Sequence, residues 1–326
     1  MGRIPDVSFS AVRTCLAMTS QPRYTPAPPA DFVLPFDLPK AGVRGRLVRL
    51  DNASARALEA HRLPEAASRI AAEACVLSVL LGSALKLTGR LTVQTKSSGP
   101  LDLLTTDYYG SRNGTPAGVR AYARLDPVRF GRMDSAAAPF AQLVGEGVVA
   151  ITIEPDRGAQ TYQGIVALSA EGLARSAEGY FVQSEQLPTA IKLAAAPLFL
   201  PGVPAPRWRA GGIMLQSTPD GALDADDWDR LSLFLESLED IELVDVGLSA
   251  ESLLWRLFHE DDVTVQRAEP IGFHCGCETA RIASVLKAYS PGEREGLADA
   301  DGVIRAKCEF CGTVHQIRPA DLAPAD

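Results

Sequence analysis

Hydrophobic positions recur at helical spacing in several parts of the chain. Residues 64–86 are rich in alanine and leucine and contain no internal proline, which predicts a long buried helix with Pro64 in its first turn. Residues 170–183 also have a helical pattern. Farther along, two apolar stripes predict two short helices, the first formed by Trp228, Leu231, Leu235 and Leu238 and the second by Leu253, Leu254, Leu257 and Phe258.

Alternating apolar and polar positions predict β-strands in the same half of the chain as the long helix. Three such segments are residues 91–95, 148–153 and 162–167. Proline, aspartate and glycine at residues 154–158 predict a turn, so the last two strands should form a hairpin. Strands and helices are interspersed without regular βαβ alternation, and we therefore expect the α+β class.

The segment that carries the two apolar stripes is strongly acidic. Ten acidic residues lie between Asp220 and Asp245, and Arg230 is the one cation among them. One interpretation is a pair of surface helices docked on the main domain. The other is a metastable linker, because acidic self-repulsion opposes folding and makes the helices depend on packing against a neighbour. A small change nearby could then release them.

Composition and charge limit the possible functions. The 326 residues are enough for about two domains. The net charge of −8 weakens any nucleic-acid-binding interpretation, since affinity for phosphate backbones comes mostly from Lys and Arg. There is no apolar run of about 18 residues and no secretory signal pattern, so we expect no membrane partner and a cytoplasmic protein. A phosphate-binding glycine loop is also absent, which argues against an ATP site.

Four of the six cysteines form two close pairs near the C-terminus. They are Cys275 and Cys277, then Cys308 and Cys311, with thirty residues between the pairs. Two pairs at this distance can place four thiolates around one tetrahedral metal ion, and soft sulfur ligands favour zinc. The competing interpretation is four unrelated buried thiols. Gly276 should give the short Cys-Gly-Cys segment its flexibility.

Several polar residues near these pairs could contribute to the site. His274 and His315 are adjacent enough to compete for zinc, although four thiolates already complete a structural site. Lys307, Arg281 and Arg305 could offset the charge of −2 that four thiolates leave on a divalent ion, or be ordinary surface charge. Cys75 lies in the predicted long helix and should be a packing residue, and Cys15 is assigned no role.

Oxidation of four cysteines permits three disulfide connectivities. Pairing between neighbours would close small loops within each arm and leave the two arms unconnected. A crossed pairing would keep the arms tied together. The spacing alone leaves these alternatives open.

The cysteine pattern, together with four other short segments, resembles the redox-regulated 33-kDa heat-shock chaperonin family. The segments are residues 145–147 (GEG), 162–164 (YQG), 184–189 (SEQLPT) and 254–260 (LWRLFHE), and the resemblance covers about residues 31–318. It implies an ATP-independent holdase that is not an enzyme. Such a protein holds one zinc ion per chain when reduced and is then inactive.

The resemblance also assigns residues to the switch. It implies Cys275, Cys277, Cys308 and Cys311 as zinc ligands, with disulfides Cys275–Cys277 and Cys308–Cys311 formed on oxidation. Zinc is then expelled, the linker unfolds, and the protein forms a homodimer that binds unfolding client proteins. We expect five linker residues to dock in the reduced state and to contact clients once released: Trp228, Leu231, Leu235, Leu253 and Phe258.

The predicted organisation has five parts. These are a disordered N-terminal extension (1–30), an α+β core chaperone domain (31–220), an acidic helical linker (221–270), a zinc-binding redox-switch domain (271–318) and a tail (319–326). Two alternative functions stay open: a thiol–disulfide oxidoreductase, since both cysteine pairs can be redox-active, and a zinc-ribbon nucleic-acid-binding protein.

Overall fold

The structure, a computed structural model, describes residues 30–133, 138–156, 160–203, 205–218 and 223–322. The predicted N-terminal extension therefore lies almost wholly outside the described residues, as does Cys15. The strands are β1 (Phe32–Leu38), β2 (Val43–Leu50), β3 (Arg90–Ser97), β4 (Leu101–Tyr109), β5 (Ala117–Leu125), β6 (Gly147–Glu154), β7 (Tyr162–Ala167), β8 (Thr189–Leu198), β9 (Arg207–Ser217), β10 (Thr264–Val265), β11 (Glu269–Phe273), β12 (Ile304–Lys307) and β13 (Val314–Ile317). The helices are α1 (Asn52–Leu58), α2 (Glu65–Ala84), α3 (Pro127–Phe130), α4 (Phe140–Val144), α5 (Leu173–Tyr180), α6 (Ala225–Glu236), α7 (Asp240–Val244), α8 (Ala250–Phe258), α9 (Thr279–Leu286) and α10 (Pro291–Gly296).

Eleven strands form one sheet, and β12 and β13 form a separate hairpin. The order along the sheet is β7-β6-β3-β4-β5-β11-β1-β2-β9-β8, with β10 paired to β1. Neighbouring strands are antiparallel except that β11 runs parallel to β5. Helices are grouped outside a largely antiparallel sheet, so the α+β prediction is confirmed.

The two faces of the sheet carry separate hydrophobic clusters. On β1, Val33 packs with α1 and α2, whereas Phe32, Leu34, Phe36 and Leu38 pack with the acidic helical segment. Successive side chains on a strand point to opposite faces, so the long helix α2 covers one face and helices α6 to α8 cover the other. A third, small cluster is formed by Leu286, Ile304, Ile317 and Leu322 in the C-terminal unit.

Strand β11 joins the two halves of the sheet. Its residues 271–273 pair with 117–119 of β5, and Pro270 pairs with Phe32 of β1. Ile271 is buried in the larger cluster. This strand ends at Phe273, two residues before the first cysteine of the C-terminal pairs. The backbone of the cysteine region is thus a direct continuation of the core sheet.

The secondary structure expected from periodicity is largely present. The long helix at 64–86 corresponds to α2, and the strands at 91–95, 148–153 and 162–167 correspond to β3, β6 and β7. The pattern at 170–183 corresponds to α5 and a following π-helical turn. Helix α7 was not predicted, because its five residues are too few to show a period.

Among the described helices, α2 is long and apolar enough to span a membrane, and 89% of that stretch is buried inside the protein, so it is the central core helix. Leu322, in the segment predicted as the tail, packs in the C-terminal cluster.

Candidate metal centre

The four C-terminal cysteines come together in one cluster. Cys275 and Cys277 follow strand β11, and Cys308 and Cys311 lie in the turn between β12 and β13. All four Sγ atoms are within 4.8 Å of one another. Two of these separations join the two arms: 3.7 Å between the Sγ atoms of Cys275 and Cys308, and 3.3 Å between those of Cys277 and Cys311. The interpretation as four unrelated thiols is therefore wrong.

The turn that carries the second pair is fixed by its backbone. The amide of Gly312 donates to the Cys308 carbonyl oxygen at 2.8 Å, and the amide of Cys308 donates to the Thr313 carbonyl oxygen at 2.8 Å. Gly312 has a φ of 72°, a conformation that favours glycine. Gly276 in the first pair is not among the positive-φ residues, so its role is not that of a left-handed turn.

The donor set fits a divalent zinc ion. Zinc–sulfur bonds of about 2.3 Å in a tetrahedron place the sulfur atoms about 3.8 Å apart, close to the separations seen here. The four cysteines could therefore hold a metal ion, and the all-sulfur set is consistent with zinc. The two histidines considered as competitors lie outside this group of ligand atoms.

The protein environment acts differently on the individual thiols. Burial raises the pKa of Cys277 and of Cys275 above the usual value. At Cys311 burial also acts to raise the pKa, but hydrogen bonds with Thr313, Cys277 and Cys275 together outweigh it and lower the pKa to about 6. A lowered pKa favours the thiolate, the form that binds metal and reacts with oxidants.

The two histidines have separate positions beside the cluster. His315 is buried, and its Nδ1 lies 2.9 Å from the Thr279 hydroxyl oxygen, which links β13 to α9. His274 is exposed and packs edge-on against the ring of Tyr109, with the ring centroids 4.8 Å apart.

A cation from the core sheet lies beside the sulfur cluster. Arg120 on β5 has its Nη1 atom 4.0 Å from Cys275 Sγ. By contrast, Arg305, for which charge compensation and ordinary surface charge were both open, pairs with Asp299 and Asp301 at 2.6 and 2.5 Å. Sequence reasoning missed Arg120 because it lies 155 residues from Cys275 and no local motif contains it.

Close contacts seat the cysteine arms on the core. Phe310 lies between Cys308 and Cys311, and its ring centroid is 6.1 Å from that of Tyr122. A Cβ atom at Gly118 would lie 2.5 Å from the Cβ atom of His274, so glycine is needed for the first arm to lie against β5. The cluster is thus in contact with the strand that pairs with β11.

Comparisons with known proteins agree with this arrangement. The family model described as Hsp33 protein matches residues 31–318. The chain belongs to the Hsp33 family. The resemblance drawn from the short motifs is confirmed.

Two bacterial relatives each match most of the chain. The 33 kDa chaperonin of Caulobacter vibrioides is 36% identical over 294 residues, which cover 89% of this chain and 95% of the relative. That of Escherichia coli K12 is 35% identical over 281 residues, covering 86% and 90%. These names support a chaperone function.

A solved structure shows the same fold. The crystal structure of the 33 kDa chaperonin from Thermotoga maritima has a TM-score of 0.75 with this chain at 19% sequence identity. It covers 90% of this chain and 96% of the other. The sheet and the cysteine unit described above therefore belong to a known Hsp33-type fold.

The candidate linker residues lie in the hydrophobic cluster on the second face of the sheet. Four of them, Leu231, Leu235, Leu253 and Phe258, are buried, and Trp228 is partly buried against the same cluster. The ring of Phe258 stacks on Phe36 of β1 with the centroids 6.0 Å apart. Their apolar side chains therefore dock on the sheet in this conformation.

A buried arginine also connects the sheet to this segment. Arg49 on β2 donates to the carbonyl oxygens of Glu242 and Leu243 in α7, at 3.1 and 3.0 Å. Sequence reasoning missed this contact, because helix α7 itself was not predicted. The linker segment is thus held by polar as well as apolar contacts.

Proposed function

We propose that this chain is a redox-regulated, ATP-independent holdase of the cytoplasm. In the reduced state, Cys275, Cys277, Cys308 and Cys311 hold one zinc ion per chain, and the protein is inactive. Oxidation replaces the metal site with two disulfides, releases the linker and allows the protein to bind unfolding client proteins. The family membership supports the chaperone part of this function.

The main support for the proposal is that the first cysteine arm follows directly from a strand of the core sheet. Strand β11 ends two residues before Cys275 and is paired on both sides, with β5 and with β1. Zinc supplies a tetrahedral tie between two arms that are otherwise thirty residues apart in the sequence. When the arms separate, the support on the C-terminal side of β11 is lost.

The oxidation step has a simple balance. Two thiolates of one pair give two electrons to one hypochlorous acid, a sulfur–sulfur bond forms, and chloride and hydroxide leave. We assign the pairs as Cys275–Cys277 and Cys308–Cys311. The family resemblance supports this assignment, and so does chain connectivity, because neighbours within one arm stay close after the arms part.

Release of the linker would create the client-binding state. Helices α6 and α8 bury Leu231, Leu235, Leu253 and Phe258 against the sheet. Their departure would expose apolar surface on both the helices and the sheet, and such patches bind the exposed apolar surface of unfolding proteins. Part of that surface would be covered again in the oxidised protein by a second copy, as a homodimer.

The test is a full-length variant in which all four cluster cysteines are serine. Without zinc and without any oxidant, this variant should suppress aggregation of a thermally unfolding protein. The matched control is Cys75→Ala, whose site is buried in the core away from the cluster, and it should bind zinc and stay inactive when reduced. Absence of holdase activity in a metal-free variant with an unfolded linker would contradict the proposal.

The same samples separate the holdase from a thiol–disulfide oxidoreductase. The four-serine variant has no cluster thiol, so any oxidoreductase activity on insulin disulfides would vanish with the substitutions. Holdase activity should instead rise.

A further inference from the structure

A buried ion pair lies directly behind the sulfur cluster. Asp107 on β4 is 2% exposed, and its Oδ2 atom accepts from Arg120 Nη2 at 2.6 Å and from Nε at 2.7 Å. The hydroxyl of Thr92 donates to the other carboxylate oxygen at 2.6 Å. Two donors on one edge of the guanidinium thus converge on a single carboxylate oxygen, and these charge-assisted bonds hold the group in place.

The opposite side of this guanidinium faces the cysteine arms. The Arg120 Cζ atom lies 3.8 Å from the ring centroid of Phe310, within the second arm. Its Nη1 atom is 4.0 Å from Cys275 Sγ in the first arm. One side chain of the core sheet therefore touches both arms, and in each arm it does so at or beside a cysteine.

The charge of Arg120 is firmly held in this position. Burial acts to lower its pKa, but the Asp107 carboxylate keeps the pKa above the usual value. A guanidinium is a weakly hydrated, planar cation, suited both to stacking on an aromatic ring and to facing sulfur anions. Four thiolates on a divalent ion leave a net charge of −2, so a fixed cation beside them stabilises the loaded site.

We propose that Arg120 is a positioning residue for the thiolate cluster, through which the core sheet controls how easily the switch domain loses its metal. Asp107 holds the guanidinium, and Phe310 and Cys275 are positioned against it. Because the metal belongs to the function proposed above, this role of Arg120 depends on that function. Groups that orient metal ligands typically change metal affinity 10–100-fold when removed.

The same two strands provide a matched control pair. Arg124 on β5 pairs with Asp102 on β4 through bonds of 2.8 and 2.9 Å. Arg124 has the same chemistry as Arg120 and a similar carboxylate partner, but its side chain is 58% exposed. Changes at this pair alter the charge of the same strands without touching the cysteine arms.

The experiment compares zinc transfer from reduced, zinc-loaded, full-length protein to an excess of a chromophoric chelator. The test variant is Asp107→Asn/Arg120→Met, which removes both charges and leaves no buried carboxylate unpaired. The control is Asp102→Asn/Arg124→Met. We expect zinc transfer about 10-fold faster than wild type from the test variant, and within about 2-fold of wild type from the control.

Two further measurements separate positioning from general destabilisation. Arg120→Lys keeps Asp107 paired but cannot also present a planar fork to Phe310, so it should give an intermediate transfer rate. In zinc-free protein, thermal unfolding of the core in the Arg120→Lys variant should match that of wild type. Phe310→Leu should speed transfer in the wild-type background and add little in the test variant, because the two residues act together.

The outcomes distinguish the two proposals. Zinc transfer at the wild-type rate from both Arg120 variants overturns the role of Arg120 and leaves the proposed function standing. A wild-type protein that holds no zinc when reduced overturns both.

Discussion

Arg49 Nε donates a hydrogen bond to the Leu243 carbonyl oxygen at 3.0 Å. The same guanidinium also donates to the carbonyl oxygens of Glu242 and Leu248. The last carbonyl groups of a helix have no partner within it, and they favour a cation. Arg49 therefore closes the end of α7 and fastens the linker to strand β2.

Arg49→Met should loosen the linker without touching the cysteines. The substitution leaves buried carbonyl groups unpaired. It should make docking of the linker on the sheet less favourable by about 3 kcal/mol. In reduced, zinc-loaded protein, amide hydrogen exchange in residues 225–258 should become faster, and weak holdase activity should appear without oxidant. The control is Arg44→Met on the same strand, where the side chain is 67% exposed. Exchange equal to that of the control would show that Arg49 does not hold the linker.

Phe258→Ala should also weaken docking of the linker, in this case by removing packing contacts. Phe258 is fully buried and stacks on Phe36, so its truncation leaves a cavity and should cost about 3–5 kcal/mol. The oxidant concentration needed for half-maximal holdase activity should fall. Trp255→Ala on the same helix is the control, since Trp255 is 64% exposed. If Phe258→Ala and Trp255→Ala reach half-maximal holdase activity at the same oxidant concentration, linker docking does not limit activation.

Glu73 should make stability depend on pH. It lies on α2, and burial, with Asp240 of the linker adding to it, raises its pKa from 4.5 to about 7. Between these values the folded state binds more protons than the unfolded state, so stability falls as pH rises from about 4.5 to about 7. Below this window Glu73 is neutral in both states, and above it the group is ionised in both.

The measurement is the urea midpoint of wild type and of Glu73→Gln at several pH values. The wild-type midpoint should decrease relative to that of Glu73→Gln across the window from about 4.5 to about 7. Glu65→Gln at the exposed start of the same helix is the control and should follow wild type. A constant difference between wild type and Glu73→Gln over this range would contradict the raised pKa.

The features that sequence alone predicted are those encoded by nearby residues. The period of residues 64–86 predicted α2, and the spacing of the two cysteine pairs predicted one cluster of four sulfur atoms. Both signals depend on residues that are close in the chain or on a known ligand spacing. The α+β class followed from the order of such local elements.

The contacts that connect these elements were not predictable in the same way. Arg120 approaches Cys275 across 155 residues, and Arg49 approaches Leu243 across 194. The insertion of β11 between β1 and β5 depends on the pairing of three distant segments. No local pattern encodes such pairings, and an arginine in the sequence does not indicate which distant residue it contacts.

The measurement that tests the central claim most directly is a titration of reduced, zinc-loaded protein with hypochlorous acid. Zinc release, the number of free thiols and suppression of client aggregation are followed in the same samples, and peptide mapping identifies the disulfides. We predict that zinc release, loss of the four cluster thiols and holdase activity rise together, with Cys275 joined to Cys277 and Cys308 to Cys311. Holdase activity that appears before zinc leaves, or complete zinc loss without activity, would contradict the account.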